Sequence, residues 1–181
     1  MTKTGLRKKG INGRSKGAGF ENDICKLLTV WWGDEFHRTP ASGGLHWKKV
    51  DSVGGDVICE DKAFPLSTEC KKQEEWNFDQ IVMGTGDVYL YWAQCINDAE
   101  EHGKTPWLVF SKNLKPKFFM MYKQDLDALL TKVGEWHMDL IIVNRQSPKN
   151  FGAPVVIGYL DQFLNTITRE HVLKTFSIKS K

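Results

Sequence analysis

Glu69 and Lys71 stand two apart in Thr68-Glu69-Cys70-Lys71-Lys72, at the end of a stretch that reads as a β-strand. Successive strand side chains alternate faces, so one face carries a carboxylate beside an ammonium, while Thr68, Cys70 and Lys72 point the other way. Upstream, Gly54-Gly55-Asp56-Val57-Ile58-Cys59 reads as a tight turn entering a short apolar strand with Asp56 at its start. If these two strands pair, the carboxylates of Asp56 and Glu69 converge. Two hard oxygen ligands, with waters and substrate phosphates, are what Mg²⁺ or Mn²⁺ requires. A nearby lysine can stabilise a hydroxide nucleophile or the charge developing on a phosphate. The plainer alternative is an exposed ion pair on an edge strand, the commoner fate of an isolated Glu-x-Lys.

The elements that must position these groups come from a chain of 181 residues, 41% hydrophobic and 12% aromatic, enough for one domain with a substantial core. The net charge of +3 is small, but its distribution is uneven: Lys3, Arg7, Lys8, Lys9, Arg14 and Lys16 all precede the first acid, Glu21. Residues 1–16 are expected to be a flexible basic arm that tracks phosphates or is simply solvated, 17–168 the folded domain, and 169–181 a basic tail. No segment approaches the roughly 20 apolar residues that span a bilayer, and the N-terminus lacks a signal-peptide core, so a cytoplasmic protein is expected. Cys25, Cys59, Cys70 and Cys95 are scattered without CxxC spacing and read as small hydrophobes, and His37 and His46 show no ligand spacing.

Phe20, Ile24, Leu27, Leu28 and Trp31 recur at helical spacing, predicting a helix from Gly19 to Trp32 that ends at Gly33. Glu21 lies at the rim of its apolar stripe, able to reach over a sheet edge or to serve as an ordinary first-turn acid. Phe36 to Thr39 predicts a short strand from which Arg38 leaves toward Pro40-Ala41-Ser42-Gly43-Gly44, well placed to hold a phosphate. Lys48 and Lys49 beside Trp47 suit a loop that meets nucleic acid, or a surface loop with one anchoring tryptophan. The segment from Lys71 to Gly86 is expected to be a connection. Then follow a helix from Asp87 to His102, with Gln94 off its apolar stripe, strands near 107–110, 117–122, 139–143 and 155–159, a helix from Asp125 to Val133, and a final turn from Asp161 to Leu164. The pattern predicts an α/β fold, a central mixed sheet flanked by helices.

Glu21, Gly55-Asp56 and Glu69-Cys70-Lys71, in that order, resemble the PD-(D/E)xK nuclease superfamily. With Lys16-Gly17-Ala18-Gly19-Phe20-Glu21, Arg38 and Ser42-Gly43 added, the run from Lys16 to Gln73 looks most like the archaeal-type Holliday junction resolvases. The resemblance implies a restriction-endonuclease-like core. Asp56 and Glu69 would be metal ligands with the Cys70 carbonyl, Glu21 would bind metal directly or through water, and Lys71 would be the catalytic base-like or electrostatic residue. It implies DNA contacts from Arg38 and Ser42, to which the basic pattern adds Arg14, Lys16, Lys48 and Lys72; Mg²⁺, with Mn²⁺ as substitute; and a homodimer acting on branched DNA. Two departures stand out: Gly55 replaces the family's proline, and Leu45 to Gly54 is longer than the pattern expects. The competing expectations are a related nuclease cutting duplex, flap or single-stranded DNA, and a DNA-binding module without catalysis.

Overall fold

The computed structural model describes residues 13–39, 55–144 and 153–176, with side chains from Gly17 onward. Ser42, Lys48 and the Leu45 to Gly54 segment lie outside the described residues, as do the side chains of Arg14 and Lys16.

Helix α1 (Gly13–Trp32) buries Phe20, Ile24, Cys25, Leu28 and Trp32, a stripe at intervals of three and four. It starts six residues before the expected Gly19. Gly17 and Gly19 lower helix propensity by about 1 kcal/mol each, but packing of the stripe that follows outweighs that cost. Arg14 and Lys16 therefore belong to a helix and not to a flexible arm. Gly33, at φ 83°, ends the helix by donating its N–H to the Thr29 carbonyl.

Strands β1 (Phe36–Arg38) and β2 (Val57–Cys59) pair antiparallel as a separate ribbon. The expected pairing of β2 with the Glu69 strand β3 (Leu66–Lys72) is not what forms. β2 takes β1 as its partner and meets β3 by a single parallel bridge, Gly55 to Thr68. Gly55 explains the difference: at φ 84° it turns the chain across β3 so closely that a Cβ there would lie 2.4 Å from the Thr68 carbonyl oxygen.

Beyond β3 come α2 (Phe78–Met83), α3 (Asp87–His102), β4 (Thr105–Ser111), β5 (Phe118–Tyr122), α4 (Lys123–Leu130), β6 (Leu140–Val143), β7 (Val155–Tyr159), α5 (Leu160–Thr166) and α6 (Arg169–Thr175). The main sheet has the order β3-β4-β5-β7-β6, with β3 and β4 parallel and the other pairs antiparallel. The β3–β4 crossover runs through α3, which packs on both strands.

Side-chain alternation divides the core in two. Leu66, Cys70, Trp107, Val109, Phe119 and Val156 meet α1, α4, α5 and α6 on one face. Leu108, Phe110, Met120 and Ile157 join Val88, Trp92 and Cys95 of α3 on the other. The molecule is thus a mixed sheet between helical layers, the α/β class expected. α6 extends the core beyond residue 168: Val172 is fully buried, and Arg169, expected to begin a tail, is anchored to Asp61 at 2.7 Å.

Candidate active site

β3 is an edge strand of the main sheet, and its C-terminal half carries the acid and base singled out in the sequence. Register with β4 pairs Glu69 with Leu108 and Lys71 with Phe110, which puts both side chains on the α3 face, and Cys70 with Val109 on the α1 face. The expected same-side placement of Glu69 and Lys71 is what the strand shows. Glu69 is only 1% exposed, and its Oε1 meets the Lys71 Nζ as an ion pair. Held by that ammonium, the carboxylate still has lone pairs for a further partner, since its two oxygens together offer about four acceptor sites.

Asp56 reaches the same edge by a different route. Its backbone N–H donates to the Thr68 carbonyl at 2.9 Å, and its Oδ2 accepts the Cys70 N–H at 2.9 Å. Asp56 thus continues the ladder of β3 with a side chain in place of a strand. A strand residue turns its N–H and C=O to the same side, so the Cys70 carbonyl also faces this edge, beside the Asp56 carboxylate. Burial, and secondly the Asp56 charge, push the Glu69 carboxyl up to about 7, against the pull of Lys71. Burial would lower the Lys71 ammonium, but Glu69 and Asp56 hold it above its ordinary value.

A second pair flanks this edge from the α1 side. Glu21 Oε2 accepts from Arg38 Nε at 2.5 Å, joining α1 to the β1–β2 ribbon. Glu21 is thus turned toward the β1–β2 ribbon, its side chain 18% exposed. The contact uses one of the five N–H donors of Arg38. Lys72, on the same side, places its Nζ 5.9 Å from the Phe20 ring centroid.

The structure therefore brings Asp56, Glu69, Cys70 and Lys71 together, with Glu21, Arg38 and Lys72 beside them. One residue of this group went unnoticed in the sequence: the Tyr91 ring of α3 lies under Lys71 Nζ, 5.9 Å from centroid to nitrogen. Its position one residue before the buried Trp92, on the α3 flank toward β3, is the only signal that pointed to it. Gln94 is exposed on α3.

The residues present fit a divalent cation. A buried carboxylate, a second carboxylate close enough to raise its pKa, and a carbonyl on the same edge are an oxygen donor set of the kind Mg²⁺ takes. A different group, Glu35, His37 and Glu60, has ligand atoms within 4.8 Å of one another. It lies on the outer face of the ribbon, opposite Arg38, and all three side chains are exposed. His37 Nε2 bridging Glu60 at 2.9 Å and Glu35 at 3.5 Å accounts for it as a surface ion cluster. A cleft lined by Phe78, Phe118, Leu140 and Tyr159 opens over β5, β7 and β6, toward the sheet edge opposite β3.

Comparison with known proteins gives this edge its context. Residues 12–174 match the family described as "Phage putative PDDEXK endonuclease", and the chain belongs to that family, within the PD-(D/E)xK nuclease superfamily. Protein D14 of Escherichia phage T5 is 22% identical over 171 residues, covering 91% of this chain and 99% of that protein. Hjc of Archaeoglobus fulgidus, a Holliday junction resolvase, aligns with a TM-score of 0.39 at 15% identity, covering 87% of this chain and 99% of Hjc. Among the described residues, no helix is long and apolar enough to cross a membrane.

Proposed function

We propose that the protein is a divalent-metal-dependent endodeoxyribonuclease, with Asp56, Glu69, Glu21 and Lys71 as its catalytic residues. The observation that carries this reading is the convergence at one strand edge of the Asp56 carboxylate, the buried Glu69 carboxylate and the Lys71 ammonium. Asp56, Glu69 and the Cys70 carbonyl would hold Mg²⁺, or Mn²⁺ in its place, with Glu21 as a further ligand, direct or through water. The bound cation would supply Lewis acidity, lowering the pKa of a bound water and offsetting charge on the phosphate. Lys71, held charged by Glu69, stabilises a hydroxide in line with the scissile phosphodiester and the charge that grows on the phosphoryl oxygens. Arg38, oriented by Glu21, presents its planar fork to a neighbouring phosphate. Lys72, with Arg14, Lys16, Ser42 and Lys48, extends the phosphate track.

The favoured substrate is a four-way DNA junction cut by a two-fold symmetric homodimer, recognised by phosphate positions and shape. The support for it is the Lys16 to Gln73 resemblance. The family description names an endonuclease and no junction, which favours keeping a second reading, a phage nuclease acting on duplex, flap or single-stranded DNA. The test is metal-dependent cleavage of a labelled junction beside those three substrates, by wild type and Lys71→Ala. Paired junction nicks abolished by the substitution would support the resolvase reading. Cleavage of another substrate, still lost in the variant, would keep the site and discard the junction. No cleavage with Mg²⁺ or Mn²⁺ would overturn the enzymatic reading.

A further inference from the structure

The β4–β5 connection, Lys112-Asn113-Leu114-Lys115-Pro116-Lys117, carries an unusual backbone position. Leu114 is the one non-glycine residue with a positive φ among the described residues, at 56°, and its side chain is fully exposed. A left-handed turn position ordinarily takes glycine or asparagine, because the Cβ of other residues crowds the following carbonyl. Leucine is thus poorly suited here on two counts, backbone strain and an apolar side chain in water. An outlier of this kind points from structure toward function.

The base of the loop, by contrast, is firmly built. Ser111, 3% exposed, lies with its Oγ 3.0, 3.2 and 2.9 Å from the carbonyl oxygens of Lys112, Lys115 and Pro116. Asn113 N–H donates to Glu74 Oε1 at 3.0 Å, and Lys112 Nζ stands 4.8 Å from the Trp76 ring centroid. The tip is therefore presented by a fixed frame. Three lysines and no acid lie within its six residues.

Position completes the argument. β3 and β4 run parallel with Lys72 opposite Ser111, so the loop leaves the sheet at the end where Glu69 and Lys71 stand. An exposed apolar tip on a firmly based loop that carries three lysines, beside the proposed nuclease site, has the chemistry of a side chain that enters a base step while its neighbours hold the flanking phosphates.

We propose that Leu114 is a wedge that inserts at an unstacked step of DNA, and that Lys112, Lys115 and Lys117 bind the phosphates on either side. The substrate class is interrupted or branched duplex, where the cost of opening a step is already met. This deepens the endonuclease reading and rests on it for DNA as the ligand.

The test uses the full chain in EDTA, so that binding is read without cleavage. The probes are a fluorescein-labelled four-way junction with 2-aminopurine at the branch and a matched unbranched duplex. Leu114→Gly and Leu114→Asn both suit the observed φ and should fold with undiminished melting temperature. Each is expected to bind the junction about tenfold more weakly, with little change on duplex, in line with the cost of losing a stacked wedge contact. Wild type should raise 2-aminopurine emission and the variants should not. Lys115→Ala should lower the slope of log affinity against log salt by about one on both probes.

Junction binding unchanged in both Leu114 variants, no 2-aminopurine response to wild type, or no DNA binding by wild type would each overturn the wedge. Cleavage assayed separately with Mg²⁺ keeps the two readings apart. A chain that cuts DNA without needing Leu114 loses only the wedge; one that binds through Leu114 but never cuts loses only the nuclease.

Discussion

Glu69 is a carboxylate placed where ionisation is costly, and its consequences can be measured without substrate. Its ordinary pKa of 4.5 rises to about 7 in the folded chain, through burial first and the Asp56 charge second. Below pH 4.5 the group is protonated folded and unfolded alike, and it takes nothing from stability. Between 4.5 and 7 the unfolded chain loses the proton while the folded chain keeps it, so stability falls as pH rises, by about 3 kcal/mol in total. Urea titrations in EDTA across this window should show the decline, and Glu69→Gln should flatten it. Added Mg²⁺ should restore wild type above pH 7 and leave the variant unmoved. Tyr91 acts at the same scale. Its ring lies under Lys71, so Tyr91→Leu is expected to lower kcat about three- to thirty-fold with KM little changed, the range of a cation–π contact. Tyr91→Phe, which keeps the ring, should cut nearly as well as wild type.

The elements around these residues were legible unevenly. α3 reads from its sequence with both ends right, because Val88, Trp92, Cys95 and Ala99 repeat at helical intervals and Gly103 stops it at φ 63°. Two short helices escaped notice. α2 is six residues long, too short for periodicity, although Asn77 and Gln80 form a reciprocal capping box that announces it. α6 has the same box from Thr168 with His171 in the third position, where Glu or Gln is the usual sign. The site was legible in its residue types, since Glu-x-Lys alternation and a Gly-Asp turn are local signals. Its construction was not. That Asp56 joins β3 by one bridge and one side-chain bond, while β2 turns to β1, depends on contacts between segments that spacing does not encode. Gly55 is itself required by this construction, at φ 84° against the Thr68 backbone. Gly55→Ala would set a Cβ against the Thr68 backbone in a strained φ, and is expected to cost about 2–4 kcal/mol in denaturant unfolding and to abolish cleavage by displacing Asp56.

Across the whole molecule, the first helix and the last are fastened together. Trp31 Nε1 donates to the Ile167 carbonyl at 2.6 Å. Trp32 Nε1 and the Arg169 guanidinium share Asp61 Oδ2 at 2.9 and 2.7 Å, and Arg169 stacks over the Trp32 ring. Arg169→Ala should therefore destabilise the fold by about 1–3 kcal/mol in thermal unfolding, since it strips a half-buried aspartate of its cation. The clamp also orders events in time. A ribosome makes Trp31 136 residues before Ile167 and Trp32 137 residues before Arg169, so α1 lacks part of its seat until α6 has been made. α1 carries Glu21, which orients Arg38. A nascent chain can thus form the β3–β4 pair with its acid and lysine well before Arg169 fastens the helix that orients Arg38. A chain cut before α6 would keep the edge that carries Asp56, Glu69 and Lys71 and lose the clamp on that helix.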